Sequence, residues 1–157
     1  MTMPDLHTKP EFAVIGIATR TSNTNEMQES QARIPALWSE YFAGNLSARV
    51  PNPSPEEATL AVYTDYESDH TGAYSLVVGR KVSCLDQVPE GMVGITVPAG
   101  SYLVFSAEGP VPEVVVDAWK RIWTYFEERP EQKRAYCSDF EVYRNDGTGL
   151  EIYIGVK

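Results

Sequence analysis

Ile34-Pro35-Ala36-Leu37-Trp38-Ser39-Glu40-Tyr41-Phe42 and its echo, Trp119-Lys120-Arg121-Ile122-Trp123-Thr124-Tyr125-Phe126, decide the fold of this chain. Bulky groups fall at 34, 37, 38, 41 and 42 in the first stretch and at 119, 122, 123 and 126 in the second. That spacing puts them on one stripe of a helix, so each stretch reads as a helix with one apolar face. One strand-like run precedes each helix and two follow it. The chain therefore reads as a βαββ unit written twice. The expected fold class is α+β, an antiparallel sheet with both helices on one face and a pseudo-two-fold axis between the halves.

Working outward, residues 1–10 are polar with Pro4 and Pro10 and read as a flexible N-terminal arm. Residues 11–157 read as a single domain, with repeat units of about 11–84 and 93–157. Residues 11–19 form the first expected strand. Pro35 suits the first turn of its helix, where a missing N–H costs little, or else marks a kink. Gly44 is a stop signal. Residues 45–58, with Pro51, Pro53 and Pro55, read as loop, followed by strands over 59–66 and 73–84. Residues 93–97 open the second half, a turn at Pro98-Ala99-Gly100 leads to a strand over 101–107, and Pro112 suits the first turn of a helix running to Glu128. A closing hairpin over 140–144 and 150–156 turns around residues 145–149.

The chain has 157 residues, enough for a sizeable core, and 22 acidic against 13 basic side chains give a net charge of −9. That balance argues against a phosphate backbone or an anionic membrane surface as partner. It suits cationic ligands, or simply a solvated acidic surface. The N-terminus lacks the basic start and apolar core of a signal peptide, and no apolar run is long enough to span a bilayer. Cys84 and Cys137 make neither a metal-ligand spacing nor a disulfide framework, so a reduced, cytoplasmic protein without metal or cofactor is expected.

The closing hairpin carries the sharpest chemical signal. One strand holds Glu141-Val142-Tyr143 and the other Glu151-Ile152-Tyr153. Glu and Tyr two residues apart share a face of a strand. If Arg144 pairs with Leu150, then Glu141 opposes Tyr153 and Tyr143 opposes Glu151 on one face, with Phe140, Val142, Ile152 and Ile154 on the other. A slip of one residue breaks this set. Two carboxylates among two phenols suit a hydrophobic cation, each cation–aromatic contact contributing about 0.5–2 kcal/mol. The alternative is the wet face of an edge hairpin. Trp38, Trp119 and Trp123 either belong to the core or turn part of their helix faces to a seam between the halves. Tyr63, Tyr66, Tyr74 and Tyr102 supply further walls.

Signals for catalysis are thin. His7 lies in the arm and His70 in a turn, and no Ser-His-Asp or Cys-His arrangement assembles. The stretch from Gly91 to Gly100 lacks the context of a phosphate-binding loop. Asp65, Glu67 and Asp69 alternate without the rest of a calcium loop and read as a solvated turn. A hydrolase using Glu141 or Glu151 with a tyrosine to activate water stays open as the enzymatic reading.

Several motifs in order resemble the GyrI-like, AraC-type effector-binding domain: Val62-Tyr63-Thr64-Asp65-Tyr66-Glu67, Gly72-Ala73-Tyr74, Val97-Pro98-Ala99-Gly100-Ser101-Tyr102, Ala118-Trp119, Phe140-Glu141-Val142-Tyr143 and Glu151-Ile152-Tyr153-Ile154. The resemblance covers about residues 11–156 and is nearest to the stand-alone branch found in bacterial genomes and integron cassettes. It implies the tandem βαββ fold and a cleft at the pseudo-two-fold that binds amphipathic, often cationic, small molecules. Carried over, its Glu-x-Tyr in the last strand falls on Glu151 and Tyr153, and its Phe-Glu-x-Tyr on Glu141 and Tyr143. With the aromatics, the candidate ligand-binding set is Glu151, Tyr153, Glu141, Tyr143, Trp119, Trp123, Trp38, Tyr102 and Tyr63. Many relatives carry a helix-turn-helix reader. None is visible here, so no direct nucleic-acid contact is expected, and a role in transcription would need a DNA-binding protein partner. Ile154-Gly155-Val156 departs from the family's Ile-Pro-Val and leaves pocket size open. The resemblance also leaves room for a hydrolase of reactive electrophiles, or for a protein-interaction module that inhibits a larger enzyme.

Overall fold

Alternating apolar runs punctuated by Gly, Pro and Asn build eight strands and two long helices in a computed structural model that describes residues 4–28, 30, 32–55, 58–68, 71–110, 113–144 and 148–157. In chain order they are β1 (Asp5–Lys9), β2 (Phe12–Ser22), a single turn α1 (Asn23–Glu26), α2 (Ile34–Ala43), β3 (Thr59–Thr64), β4 (Ala73–Val82), β5 (Val93–Val97), β6 (Gly100–Glu108), α3 (Glu113–Glu128), β7 (Arg134–Tyr143) and β8 (Gly149–Val156). Leu46–Arg49 adds a short 3-10 turn. Pro35 lies in the first turn of α2 and leaves it unbroken. Expectations placed on Asp69, His70, Pro112 and the turn at 145–147 lie outside the described residues.

The strands form one antiparallel sheet in the order β1-β6-β8-β7-β3-β4-β2-β5. From the central β7–β3 pair outward, both directions read second strand, third strand, first strand of a βαββ unit. This is the duplicated α+β architecture, with β2-α2-β3-β4 matched to β6-α3-β7-β8. The outermost strands are exchanged. β5 pairs with β2 of the first unit, although it precedes β6 in the chain. Asp5–Lys9, expected as loose arm, forms β1 and pairs with β6 of the second unit.

The exchange forces the sheet to curl. Lys9 and Phe12 are three residues apart, a reach of about 10 Å. β1 and β2 sit six places apart in the sheet, which in a flat sheet would separate them by about 29 Å. The Val97-to-Gly100 link between β5 and β6 makes the same demand. Both are met only if the sheet bends over its helix-free face. Ring contacts follow that bend: Phe12 meets Phe140 at 5.1 Å and Tyr102 meets Phe140 at 5.3 Å. Val14, Leu60, Val62, Val77, Val97, Tyr102 and Phe140 form the core on this concave side.

Both helices lie on the other face. Leu37 and Tyr41 of α2 pack on Ile15, Ile17, Leu76 and Val78, and Ala118 and Ile122 of α3 pack on Leu103, Phe105, Leu150, Ile152 and Ile154. Under α2 the backbones of β2 and β4 approach closely at Gly16 opposite Gly79, where a Cβ on Gly16 would lie 2.0 Å from the Val78 carbonyl oxygen. Only glycine fits such an approach.

The closing hairpin is paired one residue away from the expected register. Tyr143 faces Leu150, Val142 faces Glu151, Glu141 faces Ile152 and Phe140 faces Tyr153, with the Arg144 N–H donating to the Gly149 carbonyl. Glu141 and Tyr143 therefore share the helix side with Leu150, Ile152 and Ile154, while Glu151 and Tyr153 point to the concave side with Phe140 and Val142. The cause is α3. Its underside needs an aliphatic floor, and Leu150, Ile152 and Ile154 are all fully buried beneath it. Burying three such side chains is worth about 1.5–3 kcal/mol each, which outweighs matching one Glu-x-Tyr run to the other.

Candidate ligand-binding cleft

α2 and α3 stand apart above the central strands, so β3 and β7 floor a cleft between them. Glu141, on β7, is 1% exposed. Its Oε2 accepts hydrogen bonds from the Tyr63 hydroxyl at 2.9 Å and the Trp119 indole N–H at 2.6 Å, and its Oε1 accepts from the Tyr143 hydroxyl at 2.6 Å. All three donors are neutral, and among the described residues no cation pairs with this carboxylate. Burial pushes its carboxyl above the usual glutamate range, opposed by the hydrogen bonds from Tyr143, Trp119 and Tyr63. Burial and the neighbouring carboxylate also raise the Tyr63 and Tyr143 phenols, so both remain donors.

Asp139, two residues earlier on the same face, gives an internal contrast. It is fully buried, and Arg134 Nη2 lies 2.6 Å from its Oδ2. Tyr66 also donates to it, and the Gly155 N–H donates to Oδ1 at 2.8 Å. Burial alone would lower the Arg134 pKa, but Asp139 holds it up. One buried carboxylate thus carries its own cation and the other does not. The irregular β7–β8 pairing between Arg134 and Asp139, with Tyr136 at φ +53°, brings the arginine back to its partner.

Two adjoining cavities fill the cleft. One, of about 810 Å³, is lined by Trp38, Phe42, Tyr63, Glu141 and Tyr143 among others. The second, of about 380 Å³, is lined by Tyr63, Tyr66, Tyr74, Trp119, Trp123 and Arg134 among others. Glu26, Ile34, Tyr63, Val115 and Val116 border both. Glu26 is structurally engaged: it accepts from the Thr21 hydroxyl at 2.5 Å and from the N–H groups of Arg33 and Ile34, which start α2. The aromatic walls interlock, with Trp38 edge-on to Tyr143 at 4.9 Å and Tyr63 edge-on to Trp119 at 5.4 Å.

Six of the nine candidates meet in this cleft: Glu141, Tyr143, Tyr63, Trp119, Trp123 and Trp38. Glu151, Tyr153 and Tyr102 do not. The register sends Glu151 and Tyr153 through the sheet, and Tyr102 lies in the concave core with its hydroxyl donating to the Pro98 carbonyl. Glu26, Arg134 and Asp139 escaped the sequence reading. Arg134 and Asp139 flank a backbone irregularity that no strand pattern announces, and Glu26 sits in a polar stretch that reads as loop. Among the described residues no group of three or more His, Cys, Asp and Glu is placed to hold a metal ion. No helix among them is long and apolar enough to cross a membrane.

Comparison with known proteins agrees with the fold. A Bacillus subtilis (strain 168) protein described as a candidate transcriptional regulator, YobU, is 33% identical over 148 residues, spanning 90% of each chain. The integron cassette protein VCH_CASS2 of Vibrio cholerae superposes with a TM-score of 0.84 at 34% identity, covering 99% of this chain and 96% of that one. The structure of SAV2435 bound to tetraphenylphosphonium superposes with a TM-score of 0.81 at 19% identity, covering 99% and 94%, and so shares the fold. The Cass2 family, described as integron-associated effector-binding protein, matches residues 5–156, and this chain belongs to it.

Proposed function

We propose that the cleft between α2 and α3 binds amphipathic organic cations, with Glu141 as counter-charge and Tyr63, Tyr143, Trp38, Trp119 and Trp123 as aromatic walls. The observation that carries this reading is the buried Glu141 carboxylate, which has three neutral donors and, among the described residues, no paired cation, two residues from a carboxylate that has an arginine. An ionised group in that position is costly until a positive charge arrives. A delocalised cation meets the requirement and leaves water at little cost. The aromatic faces add attraction of about 0.5–2 kcal/mol per contact. A fold neighbour that holds tetraphenylphosphonium supports the ligand class.

In this reading the protein is a sensor or sequestering module. The likeness to YobU supports a place in transcription control, exercised through a separate DNA-binding partner. The test is tryptophan fluorescence on titration with tetraphenylphosphonium and, as a neutral match, triphenylphosphine oxide. Saturable quenching by the cation, at least tenfold tighter than by the oxide, is the expected result. Equal affinity for both would remove the electrostatic argument.

A further inference from the structure

The smaller of the two cleft cavities carries an arginine in its wall. Arg134 lines it together with Tyr66, Tyr74, Trp119 and Trp123. Its Cζ lies 6.0 Å from the Trp119 ring centroid, and the Trp119 indole N–H donates to Glu141 at 2.6 Å. A ligand packed on Trp119 therefore feels both groups. A guanidinium keeps its proton in a protein, so the charge of Arg134 is permanent. Uncompensated, it would oppose the organic cations that Glu141 attracts, because charges beside low-dielectric walls act over several ångströms. Asp139 meets it from behind. This side chain is fully buried and belongs to neither cavity lining, and its Oδ2 lies 2.6 Å from Arg134 Nη2. Tyr66 donates to the same oxygen, and the Gly155 N–H donates to Oδ1 at 2.8 Å. These contacts fix the carboxylate against the guanidinium. A proline at 155 would lack the last donor.

We infer that Asp139 is a specificity-determining residue of the cleft, acting through Arg134: it cancels the arginine's charge, leaves the Glu141 carboxylate unopposed, and so sets the cleft to accept organic cations and to reject organic anions of the same shape. The inference rests on the cleft reading and adds to it the residue that decides the sign. Stability is a weak reason for such a pair, because replacing a buried ion pair by apolar groups of similar volume is often neutral or stabilising. The other cations that border the cavities are of a different kind. Lys120 is exposed, and Arg144 is partly exposed and lies 3.3 Å from Glu108. Water and salt screen both. The Arg134 charge is shut away from water, so its cancellation falls to Asp139.

The test uses the full chain at pH 8 and three ligands: tetraphenylphosphonium, tetraphenylborate as the anion of the same shape, and triphenylphosphine oxide as a neutral reference. The wild type is expected to prefer the phosphonium. Asp139→Asn should weaken the phosphonium about tenfold, tighten the borate about tenfold and leave the oxide within threefold. Arg134→Gln, in which Tyr66 and Gly155 still hold Asp139, should shift the phosphonium-to-borate ratio the other way. The double variant, with both charges gone, should return the ratio to within threefold of wild type. A loss in Asp139→Asn shared by all three ligands would mark a merely structural role and overturn the inference. A ratio unmoved by Arg134→Gln, or a double variant that keeps the Asp139→Asn ratio, would do the same. Should circular dichroism show Asp139→Asn unfolded, Arg134→Gln and the double variant decide alone. A wild type that does not bind the phosphonium would remove the cleft reading and this inference together, whereas wild-type binding with an unmoved ratio in the variants removes this inference only.

Discussion

Glu141 has neutral hydrogen-bond donors where Asp139 has an arginine, and that sets the behaviour expected of Glu141. A glutamate whose folded pKa lies above its unfolded value of about 4.3 keeps its proton longer in the native state. Ionising it there costs stability, so stability falls as pH rises from about 4.3 through the raised native value and levels off above it. Glu141→Gln removes that fall, which denaturant unfolding between pH 4 and 8 would detect. Tetraphenylphosphonium does not titrate, so its affinity should weaken as pH drops through the same value, and the dependence should vanish in the Gln variant. Tyr63→Phe and Tyr143→Phe each remove a donor to the carboxylate. Both should move the affinity midpoint to higher pH, because the lost hydrogen bonds favoured the charged form. An unmoved midpoint would mean that the phenols do not hold the anion.

At the scale of elements, the helices were legible because their periodicity is long and strong, whereas the register of a hairpin hangs on a single residue. Reading Glu141-Val142-Tyr143 against Glu151-Ile152-Tyr153 matched like with like. The structure instead matches an acid–phenol face to an aliphatic one, because α3 covers Leu150, Ile152 and Ile154. No pattern within the hairpin records what packs above it. The start of α2 shows the same limit, since its cap is Glu26, eight residues before Ile34, and not an adjacent residue. Glu26→Ala orphans the Arg33 and Ile34 N–H groups and should cost about 0.5–2 kcal/mol, read as a lower denaturation midpoint. Gly79→Ala is a harsher test: its Cβ would lie 2.2 Å from the Ile15 carbonyl oxygen. It should destabilise by about 3 kcal/mol or more or prevent folding, since backbone on both sides has to move.

The whole molecule was legible as a duplication but not as an exchange. Two βαββ units could be read from two aromatic helices. That β1 crosses to the second unit and β5 to the first could not, because short links between strands look alike whether the strands are neighbours or six places apart. The exchange closes the concave side. Tyr102 and Tyr153 belong to the curled face, Tyr63 and Tyr143 to the cleft. Removing residues 1–9 should leave a folded protein weakened by about 2 kcal/mol through lost backbone pairing, with the β6 edge free to self-associate. Sedimentation at several concentrations would show the association.

The claim at the centre of this account is that Glu141, and not Glu151, is the counter-charge in the cleft. Titration of tetraphenylphosphonium into the wild type, Glu141→Gln and Glu151→Gln, followed by calorimetry at pH 8, tests it directly. The account predicts a loss of about thirtyfold in Glu141→Gln, corresponding to about 2 kcal/mol, and wild-type affinity in Glu151→Gln. The reverse ranking, or equal loss in both, would contradict the account.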